Sequence, residues 1–177
     1  IPEYEQAFRA YPTHVRFKEF DFGIYELRPE RVNWEGLELD VGTMDDLFVR
    51  RFHAKEQRGG SGLNFRWTRD ISIVSLLGVG PEHRILTLWL SDGGRPAGLP
   101  PATAELFIDD RPLGTVTANA ELQPYRFNIP LEIAEELSTR DEAGRLRIES
   151  STWNPLETLG LPDNRDLGLM VDRITVE

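Results

Sequence analysis

From Gly36 onward apolar and polar residues alternate with a period of two. Leu37 and Leu39 alternate with Glu38 and Asp40 and stop at Gly42. Leu86, Leu88 and Leu90 point one way while Ile85, Thr87 and Trp89 point the other. Ala104, Leu106 and Ile108 repeat the pattern, as do Tyr125, Phe127 and Ile129, and Leu146 and Ile148 set between Arg145, Arg147 and Glu149. This is the signature of strands with one wet face. Leu47–His53, Asn64–Thr68 and Ile71–Leu77 add three more apolar stretches, and Leu113–Ala118 returns as a hairpin partner across Asp109-Asp110-Arg111-Pro112. The final stretch holds two overlapping sets, Leu167-Leu169-Val171 and Met170-Ile174-Val176, so it is either buried on both faces or carries a bulge. Helical character is confined, from Gly36 on, to Leu131–Ser138 behind Pro130.

Roughly eight to ten short strands with one small helix and no strand–helix–strand alternation predict an all-β fold, an antiparallel β-sandwich or jelly roll. Residues 36–177 form this domain, and residues 1–35 form an N-terminal arm packed on it. The arm holds eight of the 17 aromatic side chains: Tyr4, Phe8, Tyr11, Phe17, Phe20, Phe22, Tyr25 and Trp34. The spacing of Tyr4, Phe8 and Tyr11 predicts a short amphipathic helix, with Pro2, Pro12 and Pro29 breaking anything longer.

Charge narrows the partners. Thirty acidic against 20 basic residues give a net charge of −10, and no run of Lys or Arg offsets it, so neither a nucleic acid nor an anionic membrane surface is expected to bind. The absence of cysteine removes disulfides, thiolate nucleophiles and cysteine metal sites. No stretch is apolar for long enough to span a bilayer, and no signal peptide is visible. The chain starts at Ile1, as expected of a fragment or a mature form.

Candidate chemistry concentrates between Ser151 and Leu167, a loop longer than the median connection and stiffened by Pro155 and Pro162. Sugar recognition needs flat apolar faces and forked polar groups. Trp153, Asn154, Asp163 and Arg165 supply both types there, with Trp67 and Arg66 as a second group, and Trp89 and Arg95 are of the same types. A structural reading stands beside this one: Trp153 caps the core, and Arg165 pins the loop through an ion pair with Asp163 or Asp172. No cofactor is expected. The acidic turns Asp45-Asp46, Asp109-Asp110 and Asp163–Asp166 leave room for a structural calcium ion, without the spacing of a helix–loop–helix calcium site. His14, His53 and His83 stand far apart, and no nucleophile elbow is present, so no catalytic residue is assigned. A glycosidase-like pair of carboxylates is the remaining enzymatic reading.

Several segments carry a family resemblance: Phe65-Arg66-Trp67-Thr68, the Leu86–Leu90 alternation leading into Gly94-Arg95-Pro96, and Tyr125–Pro130. The fourth is the ending Ser150-x-Thr152-Trp153-x-Pro155 with Asp163-x-Arg165-x-Leu167-Gly168-x-x-Val171-x-x-Ile174. Over residues 36–177 the chain resembles a β-sandwich module of bacterial, Chloroflexi-like cell-envelope proteins, often found beside multi-pass membrane segments of glycosyltransferase type. At the level of fold it is similar to the galactose-binding-like jelly rolls of carbohydrate-binding modules. The resemblance implies an extracytoplasmic accessory domain, in the cell envelope or secreted, with no catalytic residue to carry over. Together with the candidate residues above, the expectation is a non-catalytic module that binds a glycan or glycoconjugate, and the alternative is a structural domain packed on a parent membrane protein or on a second copy.

Overall fold

The computed structural model describes residues 8–17, 20–29, 36–57, 59 and 62–177. Two strands, β1 (Phe8–Phe17) and β2 (Phe20–Pro29), form a two-stranded antiparallel sheet. The helix expected over Tyr4, Phe8 and Tyr11 is therefore corrected: Phe8 and Tyr11 belong to β1, while Tyr4 lies outside the described residues. Three aromatics at helical spacing do not outweigh a segment rich in Tyr, Thr, Val and Phe, residue types that favour strands. Pro12 is tolerated because both strands of a two-stranded sheet are edges. The packing expected of the arm's aromatic side chains, and Trp34 itself, fall outside the described residues.

The rest is one ten-stranded antiparallel system: β3 (Leu37–Asp40), β4 (Val49–Phe52), β5 (Glu56–Gln57), β6 (Asn64–Leu76), β7 (Ile85–Ser91), β8 (Thr103–Ile108), β9 (Arg111–Thr117), β10 (Gln123–Asn128), β11 (Gly144–Ser150) and β12 (Met170–Val176). The hydrogen-bonded path runs β10-β7-β12-β6-β11-β8-β9, with β3 against β12 and with β4 and β5 against β6. Its two ends approach each other, since the Phe127 ring of β10 lies beside Gly114 of β9, and the path nearly closes. The result is an all-β, sandwich-like fold. Two helices interrupt it, α1 (Leu131–Thr139) and α2 (Pro155–Leu159).

β6 joins the two layers. The sequence suggests two stretches, Asn64–Thr68 and Ile71–Leu77, but the chain runs through Arg69 and Asp70 as one strand of 13 residues. Its first half pairs with β12 and β5, and its second half with β11 and β4. A strand gains a partner on each edge wherever the sheet continues, and this one exchanges partners halfway along. The ladder between β12 and β7 shifts register between Val171 and Arg173. The bulge at Asp172 accounts for the two overlapping apolar sets.

The main core lies between the layers. Leu86, Leu88 and Leu90 of β7 and Ile174 and Val176 of β12 belong to one buried cluster with Leu106, Ile108, Leu146, Ile148 and Val74. The leucine alternation read from the sequence thus marks the inner face, although Thr87 and Thr175 on the opposite face are also buried. A smaller cluster of Phe65, Trp67, Leu167 and Met170, with Leu63, Leu122 and Trp153 packed on it, sits where β6 meets the start of β12. It supports the loop between β11 and β12.

Candidate functional site

That loop is a closed structure. Trp153 and Leu167 pair across its neck, each amide donating to the other's carbonyl at 3.0 and 2.8 Å. Inside, Asn154 caps α2: its Oδ1 accepts from the amides of Leu156 (3.0 Å) and Glu157 (3.2 Å). Pro155 occupies the first turn, where its missing N–H costs nothing, and Gly160 ends the helix with φ 68°. The Asn154 amide nitrogen donates to Asn164 Oδ1 and Asp166 Oδ1, both at 3.2 Å. Asn–Pro followed by Gly is a helix signal that the sequence reading passed over when it treated 151–167 as irregular.

Arg165 pins the return of the loop. Its Nε and Nη2 donate to the two oxygens of Asp163 at 2.9 and 2.7 Å, and Nη1 donates to Glu56 Oε1 at 2.6 Å. Hydrogen bonds from Arg165 hold the Asp163 carboxyl down to about 2, and the same bonds push the guanidinium above its ordinary value. Of the two partners suggested by sequence, Asp163 is the one used. Asp172 sits beside Asp40 and Arg173 instead, and burial pushes its carboxyl up. Glu56 and His53, whose Nε2 donates to the Asp166 carbonyl at 2.8 Å, escaped the sequence reading. Nothing local in the sequence points to them, because both reach the loop from more than 100 residues away.

Arg66 and Trp67 lie on opposite faces of β6. The Arg66 guanidinium forks onto Asp45 (Nε 2.8 Å, Nη2 2.7 Å), reaches Asp46 at 2.6 Å and meets the His53 carbonyl at 3.3 Å. Asp45 is fully buried and also accepts from the Gly42 amide at 2.8 Å. Trp67 is buried edge-on to Phe65, with ring centroids 6.1 Å apart. Gly93, at φ +65°, lies against this indole, where any Cβ would collide with the ring. Thr68, next along, is buried: its Oγ1 donates to Ser150 Oγ (2.9 Å) and accepts from the Leu169 amide (2.8 Å).

Four of the six candidate residues, Trp153, Asn154, Asp163 and Arg165, therefore share the loop. Trp67 supports it from below through the small cluster, and Arg66 faces away into its own ion pair. The buried Trp153 Nε1 finds no partner among the described residues, while the polar groups of Asn154, Asp163, Arg165 and Arg66 bond to one another, to neighbouring carboxylates and amides, and to backbone. Arg95 does the same, donating to Ser151 and to the carbonyls of Pro100 and Pro101. The acidic turns hold arginines: Asp45 holds Arg66, Asp109 holds Arg140 at 2.7 Å, and Asp163 holds Arg165. Among the described residues no three His, Asp or Glu side chains converge as a metal-binding group. Among what the loop shows to solvent are three leucines, Leu156, Leu159 and Leu161, 44%, 52% and 48% exposed, beside the exposed Glu157, Thr158, Asn164 and Asp166.

A second surface was not singled out by sequence. On the outer side of the β10-β7-β12-β3 layer, an open cleft of about 330 Å³ is lined by Ile85, Arg126, Phe127, Asn128 and Glu177. Register places it there: Asn128 stands opposite Ile85, Arg126 opposite Thr87, and Glu177 exchanges backbone bonds with Ile85. Further along β7, Trp89 is half-buried on the same face, opposite Arg173 of β12, whose guanidinium lies 5.7 Å from the indole centroid. Alternation alone puts Trp89 there. Only the order of strands shows which polar groups surround it.

Comparison with protein-family models and with curated proteins returns no match. The fold and the two surfaces carry the functional argument.

Proposed function

We propose that this domain is a non-catalytic extracytoplasmic binding module for a glycan or glycoconjugate, engaged on the outer face of the β10-β7-β12-β3 layer. The supporting observation is the cleft, where Arg126 and Asn128 of β10 and Glu177 at the end of β12 flank Ile85 of β7, on the same face that carries Trp89 further along. A flat indole edge and forked polar groups on a rigid sheet are what a pyranose requires of a protein. Under this reading Trp153, Asn154, Asp163, Arg165, Trp67 and Arg66 build the scaffold. The setting in the cell envelope, beside a membrane glycosyltransferase, follows the family resemblance.

A second reading has its own support. Three leucines held at the surface of a pinned loop suit contact with a protein, such as a parent membrane enzyme. A glycan-array screen of the full chain separates the two, with Trp89→Ala and Trp153→Ala run alongside and melting temperatures measured. Binding lost in Trp89→Ala with the fold intact supports the sheet face. Binding lost in Trp153→Ala with the fold intact returns the site to the loop, and no binding by the parent chain favours the protein contact.

A further inference from the structure

We propose that the chain pairs with a second copy of itself through the outer face of its other layer, formed by β8, β11, the second half of β6 and β4. The glycan reading does not enter this inference: its face belongs to the β10-β7-β12-β3 layer, across the core, and stays open in the pair.

The pattern of β6 carries the argument. Ser72, Val74 and Leu76 point inward and are buried, while Ile71 and Ile73 point outward and are only partly covered. A strand with apolar side chains on both faces is patterned for burial on both. Arg147 of β11 stands opposite Ile73, and Phe107 of β8 stands opposite Arg147 on its other side. The guanidinium of Arg147 lies over the Phe107 ring, 4.2 Å from its centroid, and is bonded to Glu149 and Asp110. Two isoleucines, an aromatic ring and a stacked arginine whose charge is already paired make the composition of an interface centre.

Charge selects the occupant. The outward charged residues of these strands are Arg50, Arg145 and Arg147 against Glu105 and Glu149, and the Arg51–Asp70 pair borders them. The face thus carries no share of the chain's −10 excess, so two copies can meet here without general repulsion. Its two exposed rim charges without an ion-pair partner among the described residues, Arg50 and Glu105, differ in sign and stand at opposite edges. Arg50 lies on β4 in the row of Ile73, Arg147 and Phe107; Glu105 lies on β8 one row along, opposite Glu149. Stacked sheets keep their strands nearly aligned. A two-fold axis running along the strands, between β11 and β6, therefore lays β8 of one copy over β4 of the other. Glu105 and Phe107 of each copy then face Arg50 of the other, and the isoleucines are covered by the other copy's β11. A foreign partner of one sign would satisfy one edge only, whereas a second copy satisfies both. The face is four strands wide and about six residues long, roughly 19 by 20 Å. That is the small end of protein interfaces, so the dimer is weak and reversible, with a dissociation constant of tens of micromolar in order of magnitude.

The test is sedimentation velocity of the full chain from about 1 to about 300 µM, with Arg50→Glu, Glu105→Arg and the two combined. The parent is expected to dimerise across that range. Each single reversal sets like charges together at both ends of the contact and should weaken the dimer at least about tenfold. The combined reversal restores opposite signs and should return the affinity to within about threefold of the parent. Both positions are exposed, so the melting temperatures should stay level and separate this result from misfolding. A chain that remains monomeric at every concentration overturns the proposal, whatever else covers the isoleucines, residues 1–35 included. A dimer indifferent to the single reversals, or not recovered by the combined one, places the contact elsewhere and overturns it as well. The glycan screen is unaffected by any of these outcomes.

Discussion

Arg66→Leu is the sharpest test of whether a forked arginine in this chain is scaffold or ligand-binding. The substitution removes both guanidinium bonds from Asp45, whose carboxylate is 0% exposed and also accepts from the Gly42 amide. Removing one partner of a buried ion pair typically costs about 3–5 kcal/mol, because the remaining charge stays desolvated. Asp46 is mostly exposed and adds little to that figure. A single domain of this length shifts its melting temperature by about 2–4 °C per kcal/mol, so a fall of about 6–20 °C is expected. Urea denaturation with fluorescence detection gives the free energy directly. Asp45→Asn in the Arg66→Leu background should recover part of the loss, since it removes the stranded charge, and the double-mutant cycle isolates the coupling. Were Arg66→Leu as stable as the parent, the ion pair would contribute nothing to the fold and Arg66 would again be a candidate for ligand contact.

Two further outcomes follow from the loop and its support. Gly93→Ala forces a side chain into the Trp67 ring at positive φ, so a loss of about 2–4 kcal/mol is expected, accompanied by a change in near-ultraviolet circular dichroism. An unaltered spectrum and an unaltered denaturation midpoint would refute that packing. Asp163 sits at about 2 rather than 3.8 because Arg165 favours its charged form, so its stabilisation is complete above pH 4 and is lost as pH falls through 2. The difference corresponds to about 2 kcal/mol at most, and partial exposure reduces it to about 1 kcal/mol. Asp163→Asn should therefore be less stable than the parent at pH 7 and converge with it near pH 2; a gap that persists at acid pH would contradict the ion-pair account.

Where periodicity sets structure, the sequence was legible. Leu86, Leu88 and Leu90 announce an inner face, and the doubled pattern of Leu167–Val176 leaves two choices, a strand buried on both faces or a bulge, of which the ladder contains the bulge, at Asp172. Arg165 was readable as a pin because its partner Asp163 is two residues away. Glu56 was not, because the bond spans 109 positions and depends on β5 pairing with β6. The hairpin of β1 and β2 was misread because three aromatics at helical spacing outweighed strand-forming composition in a segment with no clean alternation. Residues Arg126, Asn128 and Glu177 carry no local mark of a site; they become one only through the strand order β10-β7-β12.

That strand order also bears on how the chain can be made. β12 is the last strand in sequence, yet it lies inside the sheet, paired with β7 along its length on one edge and with β6 and then β3 on the other. A nascent chain on the ribosome would hold β3, β6 and β7 with open edges, and a core lacking Val171, Ile174 and Val176, until residues 170–176 emerge. Such edges invite pairing with other chains. Folding must then be an event that follows synthesis of the whole domain, so shortening the chain by a single strand at this end would leave a split sheet in place of a smaller domain.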